Sequence, residues 1–407
     1  MKVYMGIDWS QSKHDVALMN EAGAIMAQFV IPHTQDGFRL LDATRARLAV
    51  AAADCQVGME TAHNLLIDFL WGRGFTHIYV IPPNVVKSSR GRYNQSGART
   101  DASDARLLAD LLRTDCRRLQ PWHPDALLTQ QIRAKTNLVA YLSRSSVALS
   151  NRLRAVLLRY YPAAVDVFSN LNTQIALEFI CAYPTPQAAA ELSMAEFEHF
   201  ARQHGYRRHS QLPACFARLQ QTPPEGAEHT ALVYQAEPPL LASQLLQLVR
   251  AKAATLREVQ ALFQQHPDFA VFDSLPGAGA YLAPALLGKF GDDRLRFPTP
   301  DSAQALAGTC PVTDASGKHK AIKFRRACDH EFRQIAQQWA MSSRTKSVWA
   351  NAYWQQARPR CRSDSHAYRC LANRWLAVLW KLWQTRQPYD ENYHLQQRML
   401  RSKPRCA

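Results

Sequence analysis

The sequence predicts an α/β domain at the N-terminus, then a long-helix or coiled-coil region, then a mainly α-helical C-terminal domain. Three observations carry this reading. Short apolar strand segments punctuated by turn residues fill the first 80 or so positions. From Pro121 to about Pro267 strand signals vanish and two long helical patterns replace them. Beyond that point the chain turns rich in Arg and Trp: residues 316–407 hold 19 Lys/Arg against 5 Asp/Glu, nearly all of the net charge of +16. The expected domains are 1–120, 121–266 and 267–407.

Taken in order, KVYMGID reads as a strand ending in an acid, DVALMN as a second and IMAQFVIP as a third, with Gly23 turning the chain between the last two. DGFRLLDATRARLAV has amphipathic helical spacing. CQVGME is another strand, NLLIDFLWGRG a helix closed by Gly72 or Gly74, and HIYVIPP a last strand stopped by prolines. Three consecutive strands followed by alternating helix and strand is the order of an RNase-H-like domain, and the pattern also suits other α/β folds. In the middle region, TQQIRAKTNLVAYLSRSSVALSNRLRAVLLRYY and ASQLLQLVRAKAATLREVQALFQQ flank a stretch broken at YPTPQ and TPPEG. Such a pair suggests a helical hairpin or coiled-coil arm, for dimerisation or for spacing.

An apolar fraction of 47% is ample for packed domains and argues against general disorder. There is no run of 18 apolar residues, and MKVYMGIDWS lacks a signal-peptide core, so a cytoplasmic protein is expected. Nine cysteines, an odd number without a CxxC pair, suggest neither a zinc site nor a disulfide framework; reduced thiols are expected. The basic C-terminal part points to a polyanion. Its charges are scattered among Trp and Tyr rather than set on one helical face, which favours nucleic acid over a membrane surface.

Four carboxylates stand out by position. Asp8 and Glu60 each end a strand, where side chains of an α/β sheet point into the ligand crevice. Asp101 and Asp104 are three apart in RTDASDARLLADLL and share one helix face, which Leu107, Leu108, Leu111 and Leu112 continue toward the sheet. An acid there is costly without a partner, and a shared divalent cation would be one. Mg²⁺ prefers such oxygen ligands, and a pair of ions suits phosphodiester cleavage. The plainer reading of Asp101 and Asp104 is a helix cap with an acid in the first turn.

Here the chain resembles a known family. Gly6-Ile7-Asp8, Met59-Glu60-Thr61 and Arg99-Thr100-Asp101-Ala102-Ser103-Asp104-Ala105-Arg106 look like the three blocks of the DEDD insertion-sequence transposases, relatives of the pilin-gene invertases. A C-terminal block is similar too: Leu275-Pro276-Gly277-Ala278-Gly279, Arg296-Phe297, Ala307-Gly308-Thr309-Cys310-Pro311 and Ala315-Ser316-Gly317-Lys318. The resemblance covers roughly residues 1–115 and 270–345. The chain departs at Arg326-Ala327-Cys328-Asp329-His330, where many relatives have a glycine.

The resemblance implies a RuvC-like, RNase-H-like N-terminal domain with the catalytic and metal-binding tetrad Asp8, Glu60, Asp101 and Asp104, loaded with Mg²⁺ or Mn²⁺. It implies Ser316 as a nucleophile that links covalently to DNA, with Gly317 allowing close approach and Lys318, Lys320 and Lys323 offsetting phosphate charge. It further implies a homo-oligomer on DNA and a structured guide RNA encoded by the element. Lys87, Arg90, Arg92 and Arg99 form an acid-free basic stretch before Asp101, read as a loop that guides phosphate or as a solvated surface. Gly277 and Gly279 suit half of a helix-hairpin-helix or a plain helix break. Arg325 and Arg326 complete the expected nucleic-acid contacts. Most of the C-terminal tryptophans should be core, and one or two are candidates for stacking on bases. His14, His63 and His319 carry no assigned role.

The function expected is therefore a transposase or site-specific recombinase that cleaves and rejoins DNA. The rivals are a structure-specific endonuclease of the resolvase type, which would not need Ser316, and an inactive nucleic-acid-binding descendant. Actin-like kinases also open on Gly-Ile-Asp, but they want Gly and Thr soon after the acid, whereas Trp9-Ser10-Gln11-Ser12 follows Asp8.

Overall fold

The structure is a computed structural model that describes residues 2–61, 65–92, 99–221, 227–317 and 319–402. It divides into two compact units, Met1–Pro124 and Asp125–Ala407. His63 and Lys318 lie outside the described residues, as does the side chain of Arg92.

The first unit is built on strands β1 (Val3–Trp9), β2 (Lys13–Met19), β3 (Ile25–Pro32), β4 (Cys55–Met59) and β5 (His77–Val80). They form one five-stranded sheet in the order β3-β2-β1-β4-β5. The first three make an antiparallel meander, with Gly23 in the left-handed region at its second turn. Strands β4 and β5 continue the sheet parallel to β1. Strand pleating sends Val3, Met5 and Ile7 to one face, where they pack with helices α1 (Gln35–Arg47) and α2 (Leu65–Gly72) through Phe38, Leu41, Leu66 and Leu70. A short helix α3 (Pro83–Ser89) follows β5, so Lys87 is on a helix rather than in the loop expected. Pro83 at its first position presets the backbone there.

Helix α4 (Asp101–Asp115) covers the other face, burying Leu107, Leu108, Leu111 and Leu112 against Tyr4, Tyr79 and Ile81. Each such leucine contributes about 1.5–3 kcal/mol relative to exposure. Two glycines set how closely it packs. Gly6 and Gly58 are register partners on β1 and β4. A Cβ on Gly6 would lie 1.9 Å from the Ala105 carbonyl oxygen, and one on Gly58 2.9 Å from Leu112 Cδ1. The pair makes a smooth lane on which the backbone of α4 rests.

The second unit contains the two long helices expected, α5 (Leu127–Tyr160) and, after the short helices α6 (Pro162–Asp166), α7 (Gln174–Ala182), α8 (Pro186–Ala190), α9 (Met194–Gln203), α10 (Leu212–Leu219) and α11 (Ala227–Tyr234), helix α12 (Glu237–Gln264). They run antiparallel, since Arg152 pairs with Glu237 while Lys135 pairs with Glu258. At 34 residues α5 is about 51 Å long. Leu153, Tyr160, Phe179, Phe197 and Leu245 form a core around its C-terminal half.

A second core gathers Ile132 and Phe263 with helices α13 (Phe269–Asp273), α14 (Gly279–Phe290), α15 (Pro300–Leu306), α16 (His330–Ser343), α17 (Val348–Ala357) and α18 (Asp364–Thr385). The C-terminal helix α19 (Glu391–Ser402) follows. Trp339, Trp349, Trp375 and Trp383 are core residues, as expected for most of the tryptophans. The indole N–H of Trp339 donates to the Pro276 carbonyl at 3.1 Å, and that of Trp383 to Gly291 at 3.1 Å. Between α15 and α16 the chain forms an antiparallel hairpin, β6 (Val312–Ser316) and β7 (His319–Lys323), absent from the sequence reading. Its strands are almost wholly exposed, so no buried-face alternation announced them. No described helix is long and apolar enough to cross a membrane.

Candidate active site

The lane under α4 also explains where the acids stand. Side chains two apart on a strand share a face, so the residue two beyond Gly6 emerges on the α4 face. That residue is Asp8; two beyond Gly58 is Glu60, just past the end of β4. The N-terminal turn of α4 then delivers Asp101 and Asp104. Thr100 caps that turn, its hydroxyl accepting from the Ser103 amide at 3.1 Å. Gln28 of β3 fastens it further by donating to the Ala102 carbonyl at 3.0 Å.

Three of the expected acids act on the fourth, Asp8, through their charge. Burial pushes the Asp8 carboxyl up to about 6, and the negative charges of Asp104, Asp101, Glu60 and Asp15 add to the rise. Asp15 is the member that the sequence reading missed. It pairs with Asp8 across β1 and β2, is buried, and is likewise raised by burial and by Asp101, against the pull of Lys13. Its signal was legible only after the strand register was known.

Asp104 is 4% exposed, and its partners are guanidinium groups. Arg90 donates to both oxygens, at 3.3 and 3.0 Å, and Arg99 to one at 2.9 Å. Arg90 and Arg99 thus both pair with the carboxylate set, Arg90 partly covered and Arg99 still largely exposed. Asp101 is exposed, with the Lys13 ammonium 3.4 Å away. Lys87 is exposed in the last turn of α3.

In the second unit Ser316 ends β6 at the tip of the hairpin, exposed, with His319 directly across the ladder. Gly317 turns the chain with φ of 54°, a conformation that glycine adopts without strain. Lys320, Lys323 and Arg326 are exposed and Arg325 half-buried; Lys323 pairs with Asp314. Gly277 has φ of 75° and is seated against the backbone of Ser342 and Ser343, a packing reason for glycine there. Gly279, at the start of α14, faces open space.

Residues 5–162 match a transposase family of the DEDD type typified by IS110, and residues 270–355 match the IS116/IS110/IS902 transposase family. The mini-circle putative transposase for IS117 of Streptomyces coelicolor is 30% identical over 405 residues, which is 96% of either chain. The chain belongs to the IS110 family of transposases. The putative transposase y4uE of Sinorhizobium fredii is 29% identical over half of this chain and 57% of its own. An IS110 43.6 kDa protein of Streptomyces coelicolor is 25% identical over 70% of each.

As a member of that family the transposase is an enzyme that cleaves and rejoins DNA. The matched segments include all four predicted acids and Ser316. Chemically, a set of carboxylates whose charges repel one another is a set of hard oxygen donors, suited to a divalent cation such as Mg²⁺. It is an open arrangement: among the described residues, the three metal-ligating side chains with atoms within 4.8 Å of one another lie elsewhere in the transposase.

Proposed function

We propose that this transposase cuts and rejoins insertion-sequence DNA with an RNase-H-like domain carrying the tetrad Asp8, Glu60, Asp101 and Asp104, and with Ser316 as nucleophile. On this reading residues 1–120 are the catalytic domain, 121–266 an arm, and 267–407 the strand-transfer domain. The observation that carries it is the convergence on Asp8, whose carboxyl is pushed up to about 6 by burial and by Asp104, Asp101, Glu60 and Asp15. Support for the RNase-H-like assignment is the antiparallel meander continued by parallel strands, with α4 across the face that bears the acids.

The four carboxylates would hold Mg²⁺ or Mn²⁺, which supplies charge stabilisation for the oxygens of phosphodiester exchange when bound. Asp8 and Glu60 present their oxygens from the sheet, and Asp101 and Asp104 theirs from α4. Arg90 and Arg99 balance Asp104 while it is unloaded and are then free for DNA phosphate. The Ser316 hydroxyl loses its proton to solvent or a neighbouring base, and its oxygen attacks the phosphorus. One phosphate–oxygen bond to serine forms as one to a deoxyribose oxygen breaks, and that oxygen takes a proton. The reverse attack by another strand's hydroxyl rejoins the DNA and frees the serine.

Lys87, Arg92, Lys318, Lys320, Lys323, Arg325, Arg326 and the amides at Gly277 and Gly279 are the proposed nucleic-acid contacts. The 19 basic residues of the last 92 support a polyanion there. A structured guide RNA encoded by the element and a homo-oligomeric assembly on DNA complete the proposal.

The test is incubation with element-end DNA, the associated RNA and Mg²⁺, read on denaturing gels, with wild type, Asp104→Ala and Ser316→Ala side by side. A covalent protein–DNA band lost in both variants is the expected result. Cleaved free ends that persist in Ser316→Ala would remove the nucleophile and leave a metal-dependent nuclease.

A further inference from the structure

Three side chains with no part in that chemistry meet at the start of α18. Cys361 sits in the turn before the helix, His366 in its first turn and Cys370 four residues later. The cysteine sulfurs and a ring nitrogen of His366 all lie within 4.8 Å of one another, and each side chain is half-buried. The spacing is Cys-x₄-His-x₃-Cys, which contains no CxxC pair. Helical geometry brings it together, because residues four apart on a helix are neighbours on one face.

The turn that offers Cys361 is held by contacts that do not involve the thiols. Ser363 caps α18, its hydroxyl accepting from the His366 amide at 3.2 Å. Arg358 donates to the Cys361 carbonyl at 3.2 Å and pairs with Asp364. The backbone that carries Cys361 and His366 is therefore fixed without help from a metal. Arg362 and Arg369 stand near His366, and Arg369 and Arg374 near Cys370. Burial and the neighbouring Cys361 push the Cys370 thiol up against the pull of these arginines, and two thiolates formed on binding would neutralise a divalent ion.

Sulfur and imidazole donors do not suit Mg²⁺; they suit zinc, which takes this kind of ligand set in tetrahedral coordination. We propose that Cys361, His366 and Cys370 form a zinc site, with water as the fourth ligand at its exposed side. Binding releases the two thiol protons to solvent and needs no redox partner.

The site has a structural consequence. Arg369, the residue before Cys370, lies over the Phe324 ring at 4.6 Å, and Arg333 of α16 lies over the same ring at 4.5 Å. Phe324 directly follows β7, so this clamp holds the root of the hairpin that carries Ser316. Zinc would fasten the turn before α18 to the helix segment bearing Arg369. The zinc claim stands apart from the role of Ser316 and is tested without it.

The full-length protein is purified without chelator and its metal measured by mass spectrometry. The expected content is about one zinc per chain, retained in Asp104→Ala and lost in Cys361→Ser and Cys370→Ser. Stripped wild type titrated with cobalt(II) should show the thiolate-to-cobalt charge-transfer band, so the result does not depend on how the variants fold. Wild type that carries no zinc and gives no such band overturns the proposal. So does zinc retained in the cysteine variants, zinc lost in Asp104→Ala, or a Cys361–Cys370 disulfide in freshly alkylated protein.

Discussion

Asp8 carries the charge of its neighbours. Its carboxyl is raised from 3.8 to about 6 by burial first and then by four other acids. A raised acid binds its proton more tightly in the folded chain. Its favourable contribution is therefore complete below the ordinary carboxylate range and is lost as pH rises through about 6. Metal-free protein should lose stability over that interval, and Asp8→Asn should not. At neutral pH the variant should be the more stable by about 1 kcal/mol, a two-unit shift discounted for partial exposure. Thermal melts with chelator across the interval decide it, and parallel profiles for the two proteins would sink the shared-charge account. Added Mg²⁺ should raise the wild-type melting temperature and leave that of Asp8→Asn nearly unchanged.

Between strand and helix, the contact that matters is α4 on its glycine lane. A Cβ at Gly6 would meet helix backbone, which cannot yield, at 1.9 Å. At Gly58 it would meet the end of a leucine side chain at 2.9 Å, which can rotate. Gly6→Ala should accordingly cost about 3 kcal/mol and Gly58→Ala nearer 1 kcal/mol. Urea denaturation measures both, and a reversed order would mean that α4 does not rest on β1 as described. Gly6→Ala should also lower DNA cleavage more than its stability loss predicts, because it shifts Asp101 and Asp104 away from Asp8. Gly6 was visible in the sequence as part of the block around Asp8, and Gly58 only as a member of the strand CQVGME. Their purpose was not, since it depends on which strands are neighbours.

Over the whole molecule the charge is lopsided, with 19 Lys/Arg against 5 Asp/Glu after residue 315. Binding of a short DNA duplex should weaken steeply with salt, each phosphate contact contributing a slope of about 0.9 in log–log form. Lys320→Ala and Arg326→Ala, both at exposed residues, should each flatten that slope by about one contact. Lys323→Ala should do less, because Lys323 is already paired with Asp314. Fluorescence anisotropy over a salt series gives the slopes, and no change in any variant would remove the hairpin from the DNA contacts.

Sequence alone determined what depends on local order along the chain. The strand–helix alternation, the two long helices, the four acids at element ends and the basic C-terminal part are all set by periodicity, caps and composition. Tertiary structure decided what depends on pairing between distant segments. Strand register brought Asp15 beside Asp8, and two register-matched glycines brought α4 close enough for Asp101 and Asp104 to join them. Arg90 and Arg99 read in the sequence as part of a phosphate-guiding loop or of a solvated surface; the fold sets both on Asp104, because a buried carboxylate draws a cation within reach. Cys361, His366 and Cys370 looked like scattered residues until a helix turn stacked them, a proximity that spacing rules built for short loops do not register.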